Sequence, residues 1–527
     1  MTAPDHTAAD QNDTGQNAPG QNDAGPTAQN PPALDGDLAG KLPALTGARV
    51  AVVGDVMLDR FVTGAVERVS PEAPIPVLKV GRSTAMLGGA GNVLRNLAAL
   101  GAEPRLVAAV GDDAPGGEVQ ALAEQAAPGA AELIQLPGRA TSVKVRYLAG
   151  GQQLLRTDWE DTGALPAEAA DRLVAAAESA LDGARALVLS DYGKGVLAPP
   201  TVARLIQAAG ARGVPVIVDP KASDYAVYAG ADLVTPNRAE LARATGRAVP
   251  DGGDADADAA VAEAARGLIR QSGIAGVLAT RGGHGMTLLA HADADPRHLP
   301  AAAREVYDVS GAGDTVVAAL AAARAGGLDL ADAARIANVA AGIVVGKVGT
   351  AVVRPDELLR ALHTQRLQQA ESKVAGRDTA LEQAAAWQRA GLKVAFTNGC
   401  FDLLHPGHVS LLDQARASAD RLVVGLNADA SVRRLKGAGR PVQDAAARAA
   451  VLASLASVDL VVLFEEDTPL ALLAALKPDV LVKGADYTRD TVVGADLVEG
   501  YGGRVVLADL AAGHSTTATL ARLRGEG

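Results

Sequence analysis

The sequence predicts an α/β fold with two separate domains, each built on a parallel β-sheet. Short, fully apolar runs alternate with alanine-rich helical stretches, as expected when helices cover both faces of buried strands. A polar stretch without strand character interrupts this alternation in the second half of the 527-residue chain. The length accommodates more than one domain at roughly 100–200 residues each.

Residues 1–45 precede the first predicted strand and are predicted to form a disordered tail. Gln-Asn pairs recur at positions 11, 16, 21 and 29 among Asp, Gly, Pro and Ala. Such a segment buries too little apolar surface to offset the entropy lost on ordering. Residues 1–40 contain neither Lys nor Arg and no apolar segment, so we expect no secretion signal.

Charge and cysteine content narrow the possible classes of protein. The formal net charge of −12 argues against general nucleic-acid binding, which leaves a basic footprint. No apolar run approaches the roughly 18 residues of a membrane span. The single cysteine, Cys400, excludes an intramolecular disulfide and fits a reducing compartment. We therefore expect a cytoplasmic protein with neither a nucleic acid nor a membrane as partner.

The first domain, residues 46–360, opens with the apolar run Ala48–Gly54, which predicts a buried strand. Comparable runs predict four further strands: Ala186–Ser190, Val214–Asp219, Asp232–Thr235 and Gly276–Thr280. Alanine-rich stretches such as Pro166–Leu181 and Pro200–Ala211 predict helices between them. This order is typical of a parallel sheet with helices on both faces.

Residues 361–390 are polar and helical in propensity, and we interpret them as a helical linker without a strand. The second domain, residues 391–527, repeats the alternation of strands and helices. Its predicted strands are Lys393–Thr397, Arg421–Leu426, Leu460–Phe464, Val480–Val482 and Arg504–Leu507.

The segment Asp308–Thr315, DVSGAGDT, carries the clearest chemistry of the first domain. Gly311, Ala312 and Gly313 let the backbone approach an anion, and a helix starting immediately after them would supply amide donors. Asp314 could accept the proton of an attacking hydroxyl, the role that a base has in phosphoryl transfer. The structural alternative is a tight turn in which Asp314 caps the helix.

Three further segments are candidates for ligand contacts in this domain. Asp55 and Asp59 follow the first strand, where ligands bind in open α/β sheets, and their carboxylates suit sugar hydroxyls. Leu87–Asn92, LGGAGN, is a second glycine-rich turn. Asn237 and Glu240 follow another strand and could order water around Mg²⁺ on nucleotide phosphates. Each segment alone is also typical of a solvated loop or a helix cap.

Together these segments resemble the ribokinase-like family of sugar kinases over Gly47–Leu359. The resemblance implies a ribokinase-like parallel-sheet fold, Asp314 as catalytic base and an anion hole at Gly311, Ala312 and Gly313. The residues implied to bind ATP and Mg²⁺ are Asn237, Arg238, Ala239 and Glu240. The residues implied to bind the sugar are Asp55, Asp59, Gly88, Gly89 and Asn92. The resemblance also implies Mg²⁺ with ATP, and it adds a monovalent cation in the kinase domain.

The segment Thr397–His408, TNGCFDLLHPGH, carries the chemistry of the second domain. A helix beginning near Gly407 would place His405 and His408 in its first turn, where imidazoles and backbone amides face one polyphosphate. No third metal ligand lies nearby, so we predict no direct metal ligation by side chains. Cys400 is interpreted as a small packing residue.

This dodecapeptide resembles the HxGH nucleotidyltransferase family, which implies a Rossmann-like domain. In that family a substrate phosphate attacks the α-phosphate of a nucleoside triphosphate, and pyrophosphate leaves. The residues implied to bind the nucleotide are Thr397, Asn398, Gly399, Phe401, His405, His408, Lys436, Arg448, Ser515, Thr516 and Thr517.

Four more segments narrow the resemblance: Arg68–Lys79, Gln152–Glu160, Ser190–Leu197 and Asp219–Lys221. With the order of the two domains, the chain resembles the family of bifunctional D-glycero-β-D-manno-heptose 7-phosphate kinases and heptose 1-phosphate adenylyltransferases. This implies ATP and heptose phosphates as substrates, a homodimer, and a separate phosphatase between the two steps. It implies ADP-heptose as product, a precursor of the lipopolysaccharide core. The candidate cations for the distal phosphate are Lys194, Lys221, Arg146 and Arg156.

Two alternatives stay open. The HxGH motif also occurs in enzymes that use CTP, so a kinase of another sugar phosphate could be fused to a cytidylyltransferase. A regulatory binding protein with one inactive domain is the alternative from another class. The presence of Asp314, His405 and His408 argues against it.

Overall fold

The computed structural model describes residues 38–302, 306–347, 349–485 and 487–509, with their side chains except those of 366–369. In these ranges the strands are β1 Arg49–Gly54, β2 Val56–Val69, β3 Pro76–Gly89, β4 Glu103–Gly111, β5 Ala131–Leu136, β6 Val143–Ala149, β7 Gln152–Trp159, β8 Ala186–Ser190, β9 Val216–Asp219, β10 Leu233–Val234, β11 Gly276–Thr280, β12 Met286–Leu289, β13 Arg297–Leu299, β14 Val374–Ala375, β15 Val394–Gly399, β16 Arg421–Asn427, β17 Leu460–Phe464, β18 Val480–Gly484 and β19 Arg504–Ala508. The α-helices are α1 Leu38–Lys41, α2 Ala90–Ala99, α3 Ala114–Ala126, α4 Ala167–Ala180, α5 Pro199–Gly210, α6 Arg238–Thr245, α7 Ala255–Ser272, α8 Ala312–Ala325, α9 Leu330–Val344, α10 Pro355–Ser372, α11 Arg377–Arg389, α12 Pro406–Ala417, α13 Asp429–Lys436, α14 Ala445–Ala453, α15 Leu470–Leu476 and α16 Ala495–Gly500.

The first domain is built on a sheet that has nine strands within the described residues, in the order β13-β12-β11-β10-β9-β8-β1-β4-β5. β12 runs antiparallel to both of its neighbours, and the other pairs are parallel. Val50 and Val52 of β1 pack into one core and Ala51 and Val53 into the other, because successive side chains of a strand face opposite sides. Both faces are therefore covered, as the sequence predicts.

A second sheet of the first domain, β3-β2-β6-β7, has no counterpart in the sequence prediction. β2 pairs antiparallel with β3 and parallel with β6, and β6 pairs antiparallel with β7. Leu58 and Val145 are buried near its base, whereas Val69 and Trp159 are 65% and 54% exposed. Strands that mix polar and apolar residues in this way lack the fully apolar run on which the prediction depends.

Residues 38–45 fold, although the sequence assigns them to the disordered tail. Helix α1 is followed by the 3-10 turn Leu42–Leu45, and Leu38, Leu42 and Leu45 are buried in the core of the first domain. The tail prediction is wrong for these residues, because leucines spaced three and four apart form one apolar stripe. Residues 1–37 lie outside the described part of the chain.

The linker contains a strand, which corrects the expectation that 361–390 lacks one. α10 and α11 supply the predicted helices, but β14 lies between them and pairs in parallel with β17. β14 thereby forms one edge of the sheet of the second domain, β14-β17-β16-β15-β18-β19. Two residues are too short to stand out as an apolar run.

The predicted α/β class is confirmed in both domains. Phe396 of β15 packs into one core of the second domain and Ala395 into the other, so helices cover both faces of this sheet as well. Across the described ranges, no helix combines the length and the apolar character needed to cross a bilayer.

Candidate active sites

Asp314 lies in the first turn of α8, because that helix begins inside the glycine-rich segment. The N-cap residue is Gly311, whose φ of +77° favours glycine, so the alternative in which Asp314 caps the helix is wrong. Within the predicted anion hole, the Ala312 amide donates to the Val309 carbonyl at 3.2 Å, whereas Gly313 lines a cavity. The N-terminus of α8 and the buried carboxylate of Asp314 therefore lie next to each other.

Two side chains donate hydrogen bonds to the Asp314 carboxylate. The Asn92 amide donates to Oδ2 at 2.8 Å and the Tyr192 hydroxyl donates to Oδ1 at 2.7 Å. Burial raises the pKa of Asp314 to about 6; the two donors and Arg95 oppose this effect, and Asp59 adds to it. A carboxylate with a pKa close to neutrality is suited to accept a proton during the reaction.

The predicted sugar-binding residues Asp59 and Gly88 lie side by side. A Cβ atom on Gly88 would lie 2.4 Å from Asp59 Oδ2, and Asp59 Oδ1 pairs with Arg146 at 2.6 Å. Gly89 has a φ of +58°, and a Cβ atom there would lie 2.5 Å from the Asp55 carbonyl oxygen. Both glycines are thus required by close packing at the base of the second sheet.

Asp55 has a different role from the predicted sugar contact. Its side chain is buried and accepts hydrogen bonds from the backbone amides of Tyr192, Lys194 and Val196 at 2.9, 3.0 and 3.2 Å. The sugar-contact expectation is corrected here, because backbone donors occupy both carboxylate oxygens. Asp55 fixes the loop that follows β8.

A cavity of about 240 Å³ joins Gly313 to the segment after β10. Its lining includes Asn237 and Glu240, but neither Arg238 nor Ala239. Asn237 caps α6 and forms a reciprocal pair with Glu240, with hydrogen bonds of 2.9 and 3.0 Å. The helix-cap alternative is therefore realised, yet the same two side chains face the cavity that Gly313 lines.

Carboxylates concentrate around this cavity. Asp191 and Asp219 line it with Glu240, and Lys221 lies 3.5 Å from Glu240 Oε1. Burial, together with the charges of Asp314 and Glu240, raises the pKa of Asp219 well above its usual range. Oxygen ligands of this kind suit Mg²⁺, which proteins hold through one or two carboxylates when it accompanies nucleotide phosphates. Within the described ranges, no three His, Cys, Asp or Glu side chains cluster as a metal cage.

The side chains predicted to bind a distal phosphate have different surroundings and different ion-pair partners. Lys194 pairs with Glu160 at 2.5 Å and is 14% exposed. The sequence prediction missed Lys144. Burial lowers the pKa of Lys144, and the positive charge of the nearby Lys194 lowers it further. Arg156 is half exposed and pairs with Asp158 at 3.0 Å. Lys144 and Lys194 are therefore two neighbouring, half-buried cations in this region.

The second site lies where β15 ends and α12 begins. His405 is the N-cap residue of α12, and its ring stacks on that of His408 with centroids 3.8 Å apart. Burial, followed by the charges of His405 and Lys436, lowers the pKa of His408 to about 4, against a hydrogen bond with the Leu403 backbone. His408 is therefore neutral at pH 7 and offers one N–H donor and one acceptor nitrogen rather than a full charge.

The floor of the second site is formed by the residues around Phe401. Phe401 has a φ of +42° and packs its ring 5.1 Å from His408, and a Cβ atom on Gly399 would lie 3.1 Å from that ring. Lys483 donates to the Asn398 carbonyl at 2.9 Å. The side chain of Thr397 is fully buried, so this residue shapes the strand end from within.

Arg448 does not face the nucleotide site, which corrects its predicted role. Its buried guanidinium donates to the carbonyls of Cys400 and Gln443 at 2.6 and 3.1 Å and to Asp429 at 2.6 Å. These contacts tie the loop between β15 and α12, here called the motif loop, to α13 and α14. Lys436, at the exposed end of α13, acts on the pKa of His408 and so lies near the imidazoles.

Ser515, Thr516 and Thr517 lie outside the described residues, and their predicted role in nucleotide binding stays a prediction.

Sequence reasoning missed Tyr192, Lys144 and Asp402. Asp402 is buried, pairs with Arg440 and accepts from the Val442 amide at 2.7 Å, so it fastens the segment before α14 to the motif loop. Tyr192 follows the end of β8, and that position alone could have marked it. Asp402 lies inside the dodecapeptide, whereas Lys144 lies in a strand without a sequence signal.

Comparison with known proteins gives two family matches. Residues 48–357 match the model described as pfkB family carbohydrate kinase. Residues 396–510 match the model described as Cytidylyltransferase-like. The first match covers more than half of the chain and the second covers the domain that carries the stacked histidines.

Full-length relatives share both domains. The chain is 58% identical over 488 residues to the Bifunctional protein HldE of Paramagnetospirillum magneticum, covering 93% of this chain and 99% of the relative. It is also 58% identical to the Bifunctional protein HldE of Rhodospirillum rubrum, covering 93% and 97%. Phosphofructokinase-2 from Escherichia coli matches 60% of this chain and 99% of its own with a TM-score of 0.50 at 20% identity, which shows a common fold.

Proposed function

This chain belongs to the family of the bifunctional HldE proteins, and on that premise we propose that it carries out two reactions of heptose activation. The kinase domain phosphorylates D-glycero-β-D-manno-heptose 7-phosphate at O1 with ATP and gives the 1,7-bisphosphate. The transferase domain converts heptose 1-phosphate and ATP into ADP-heptose and pyrophosphate. The observation that carries the proposal is that one chain has two separate helix N-termini, those of α8 and α12, each with its own polar side chains beside it.

In the kinase reaction the O1 hydroxyl oxygen attacks the γ-phosphorus, and the bond to the leaving ADP oxygen breaks. Asp314 accepts the hydroxyl proton, which its pKa of about 6 permits. Gly313 at the start of α8 supports the developing negative charge of the phosphoryl group. Asn237 and Glu240 face the same cavity and would act on the Mg²⁺ that accompanies the ATP phosphates.

In the transferase reaction a phosphate oxygen of heptose 1-phosphate attacks the α-phosphorus of ATP, and pyrophosphate leaves. No proton has to be removed from an ionised phosphate, so the protein acts by positioning and by stabilising charge. The neutral His408 and the N-terminus of α12 donate hydrogen bonds, and Lys436 contributes positive charge. Adenine specificity rests on family membership.

Magnesium with ATP is part of the proposal for both sites. The carboxylates around the kinase cavity support it, because hard oxygen donors are the ligands that Mg²⁺ takes. The monovalent cation in the kinase domain rests on the resemblance of the sequence to ribokinase-like enzymes. A kinase rate that rises with added K⁺ at constant ionic strength is the expected result.

For the distal phosphate of the heptose we propose Lys144 and Lys194. Lys144 of β6 lies opposite Asp59 of β2, and Asp59 in turn adjoins Gly88. Neighbouring ammonium groups repel each other, and a phosphate dianion bound between them would relieve that repulsion. Lys221 instead faces Glu240, and Arg146 pairs with Asp59.

We propose a homodimer, a cytoplasmic location and a separate phosphatase between the two steps. Exposed apolar side chains on the second sheet, such as Val69 and Trp159, support association of two copies. The two sites perform a kinase and a transferase step, and the 7-phosphate must leave between them. Light scattering of the purified protein tests the dimer.

One assay tests the two reactions. The purified chain is incubated with ATP and heptose 7-phosphate, and separately with heptose 1-phosphate and either ATP or CTP. We expect heptose bisphosphate from the first mixture and ADP-heptose from the second. A CDP-sugar in place of ADP-heptose would favour the cytidylyltransferase alternative, and phosphorylation of other sugar phosphates only would contradict the heptose assignment.

A further inference from the structure

The Asp314 carboxylate is held from two sides by donors that come from distant parts of the first domain. Asn92 is on α2, and Tyr192 is in the loop after β8. Each donates to a different oxygen, Asn92 to Oδ2 at 2.8 Å and Tyr192 to Oδ1 at 2.7 Å. Rotation of the carboxylate about its terminal bond would therefore break both hydrogen bonds at once.

Tyr192 is itself held in place by its backbone and its ring. Its amide donates to Asp55 Oδ2 at 2.9 Å, and Asp55 also accepts from the Lys194 amide at 3.0 Å. A Cβ atom on Gly89 would lie 3.4 Å from Tyr192 Cδ2, so the tyrosine ring lies within contact distance of Gly89. Tyr192 also lines the cavity that contains Asn237 and Glu240. Its phenol thus lies between the sugar side and the nucleotide side of the kinase site.

The phenol of Tyr192 can act only as a donor to Asp314. Burial and the negative charge of Asp314 raise the pKa of Tyr192 well above 10, so the hydroxyl keeps its proton at every physiological pH. A hydroxyl that keeps its proton stabilises the charged form of the carboxylate that accepts it. The other charged groups that act on Asp314 or Tyr192 are Asp59 on β2, Arg95 on α2 and Asp219 on β9.

We infer that Tyr192 is a positioning residue of the kinase site, which orients the Asp314 carboxylate and keeps it deprotonated until the sugar hydroxyl attacks. This inference rests on the proposed kinase function and adds a residue to it. During the transfer, the hydroxyl proton moves to Asp314 as the new O–P bond forms and the bond to ADP breaks. Tyr192 keeps its own proton throughout.

The first test compares Tyr192→Phe with the unmodified full-length chain. Loss of one donor to a buried carboxylate raises the pKa of Asp314, so the acid limb of kinase kcat/KM moves to higher pH by roughly one unit. We expect kinase kcat at pH 7 to fall about tenfold, with KM for ATP unchanged. The transferase activity of the same molecules stays the same and reports intact protein.

The matched control is Tyr225→Phe. Tyr225 is a buried tyrosine of the same domain whose hydroxyl has no hydrogen-bond partner among the described residues. Its substitution should leave the kinase rate and pH profile unchanged. An equal loss in both variants, or a Tyr192→Phe variant with an unmoved acid limb and normal kcat, would overturn the inference.

A second measurement avoids any loss of folding. Site-specific incorporation of 3-fluorotyrosine at position 192 makes the phenol a stronger hydrogen-bond donor with nearly the same shape. The acid limb should then move to lower pH, opposite to the shift in Tyr192→Phe. A shift in the same direction, or none, contradicts the inference. If the unmodified chain phosphorylates no sugar phosphate, the proposed kinase function fails instead, which separates the two outcomes.

Discussion

Asn92 donates a hydrogen bond of 2.8 Å to Asp314, although 222 residues separate them in the chain. The sequence assigns Asn92 to the sugar and Asp314 to the chemistry. In the structure, Asn92 at the end of the glycine-rich segment Leu87–Asn92 donates to Asp314, the predicted base in the segment Asp308–Thr315. Two motifs that look independent in the sequence therefore form one polar unit.

Gly311→Ala should break this unit. A Cβ atom at this position would lie 2.6 Å from Asn92 Nδ2, in addition to the strain of a φ of +77°. We expect kinase kcat to fall by more than about tenfold, because loss of one hydrogen bond to a charged group costs roughly 1.5–3 kcal/mol. Gly129→Ala is the control, since Gly129 has a φ of +66° and open space around it. Equal kinase loss in both variants would point to backbone strain alone.

Asp314→Asn should abolish the kinase reaction and stabilise the kinase domain. The folded pKa of about 6 lies above the ordinary value of 3.8, so the carboxylate lowers stability as pH rises through this interval. An uncharged amide removes that cost, worth on the order of 2–3 kcal/mol above pH 6. Calorimetry should show a higher transition temperature than the unmodified chain at pH 7.5 and little difference at pH 4. A lower transition temperature at pH 7.5 would contradict the burial argument.

His408→Ala should abolish ADP-heptose formation and leave the kinase rate unchanged. Because the pKa of His408 is about 4, this residue stays neutral throughout the range in which the enzyme is assayed. Any inflection of the transferase rate near pH 6.5 should therefore come from another group, such as the substrate phosphate, and persist when His408 is replaced by Asn. Initial rates between pH 5.5 and 8 test this expectation. An inflection there that disappears when His408 is replaced by Asn would show that its charged form matters.

Arg448→Ala and Lys436→Ala should separate stability from catalysis in the transferase domain. Removal of the buried Arg448 leaves two carbonyls and Asp429 without their donor, a loss of about 3 kcal/mol or more. Thermal unfolding should show the transferase transition at lower temperature. Lys436 is exposed, so its removal should leave that transition unchanged while transferase kcat/KM for ATP falls about tenfold. If Arg448→Ala lowered kcat/KM for ATP and left the transition temperature unchanged, Arg448 would be a residue of the nucleotide site after all.

The sequence was sufficient for those parts of the fold and site that depend on local patterns. Apolar strands such as β1 and β15 follow from periodicity, and glycine and proline signals place the starts of α8 and α12 close to where the structure has them. The second sheet did not follow, because exposed strands carry no apolar run. Nor did the contacts of Arg448 and Asp55, because the number of backbone donors or acceptors around a side chain is a property of tertiary packing.

The short strand β14 also protects the second domain against self-association. It covers the edge of β17, and the Val461 amide donates to the Lys373 carbonyl at 2.7 Å beside it. Without that cover, β17 would offer a row of unpaired amides and carbonyls, a ready template for strands of other molecules. A transferase fragment that starts at residue 391 would expose this edge and aggregate, whereas one that starts at 373 would keep it closed. The boundary between the two domains thus lies before β14, within residues 361–390, which the sequence predicts to be a linker.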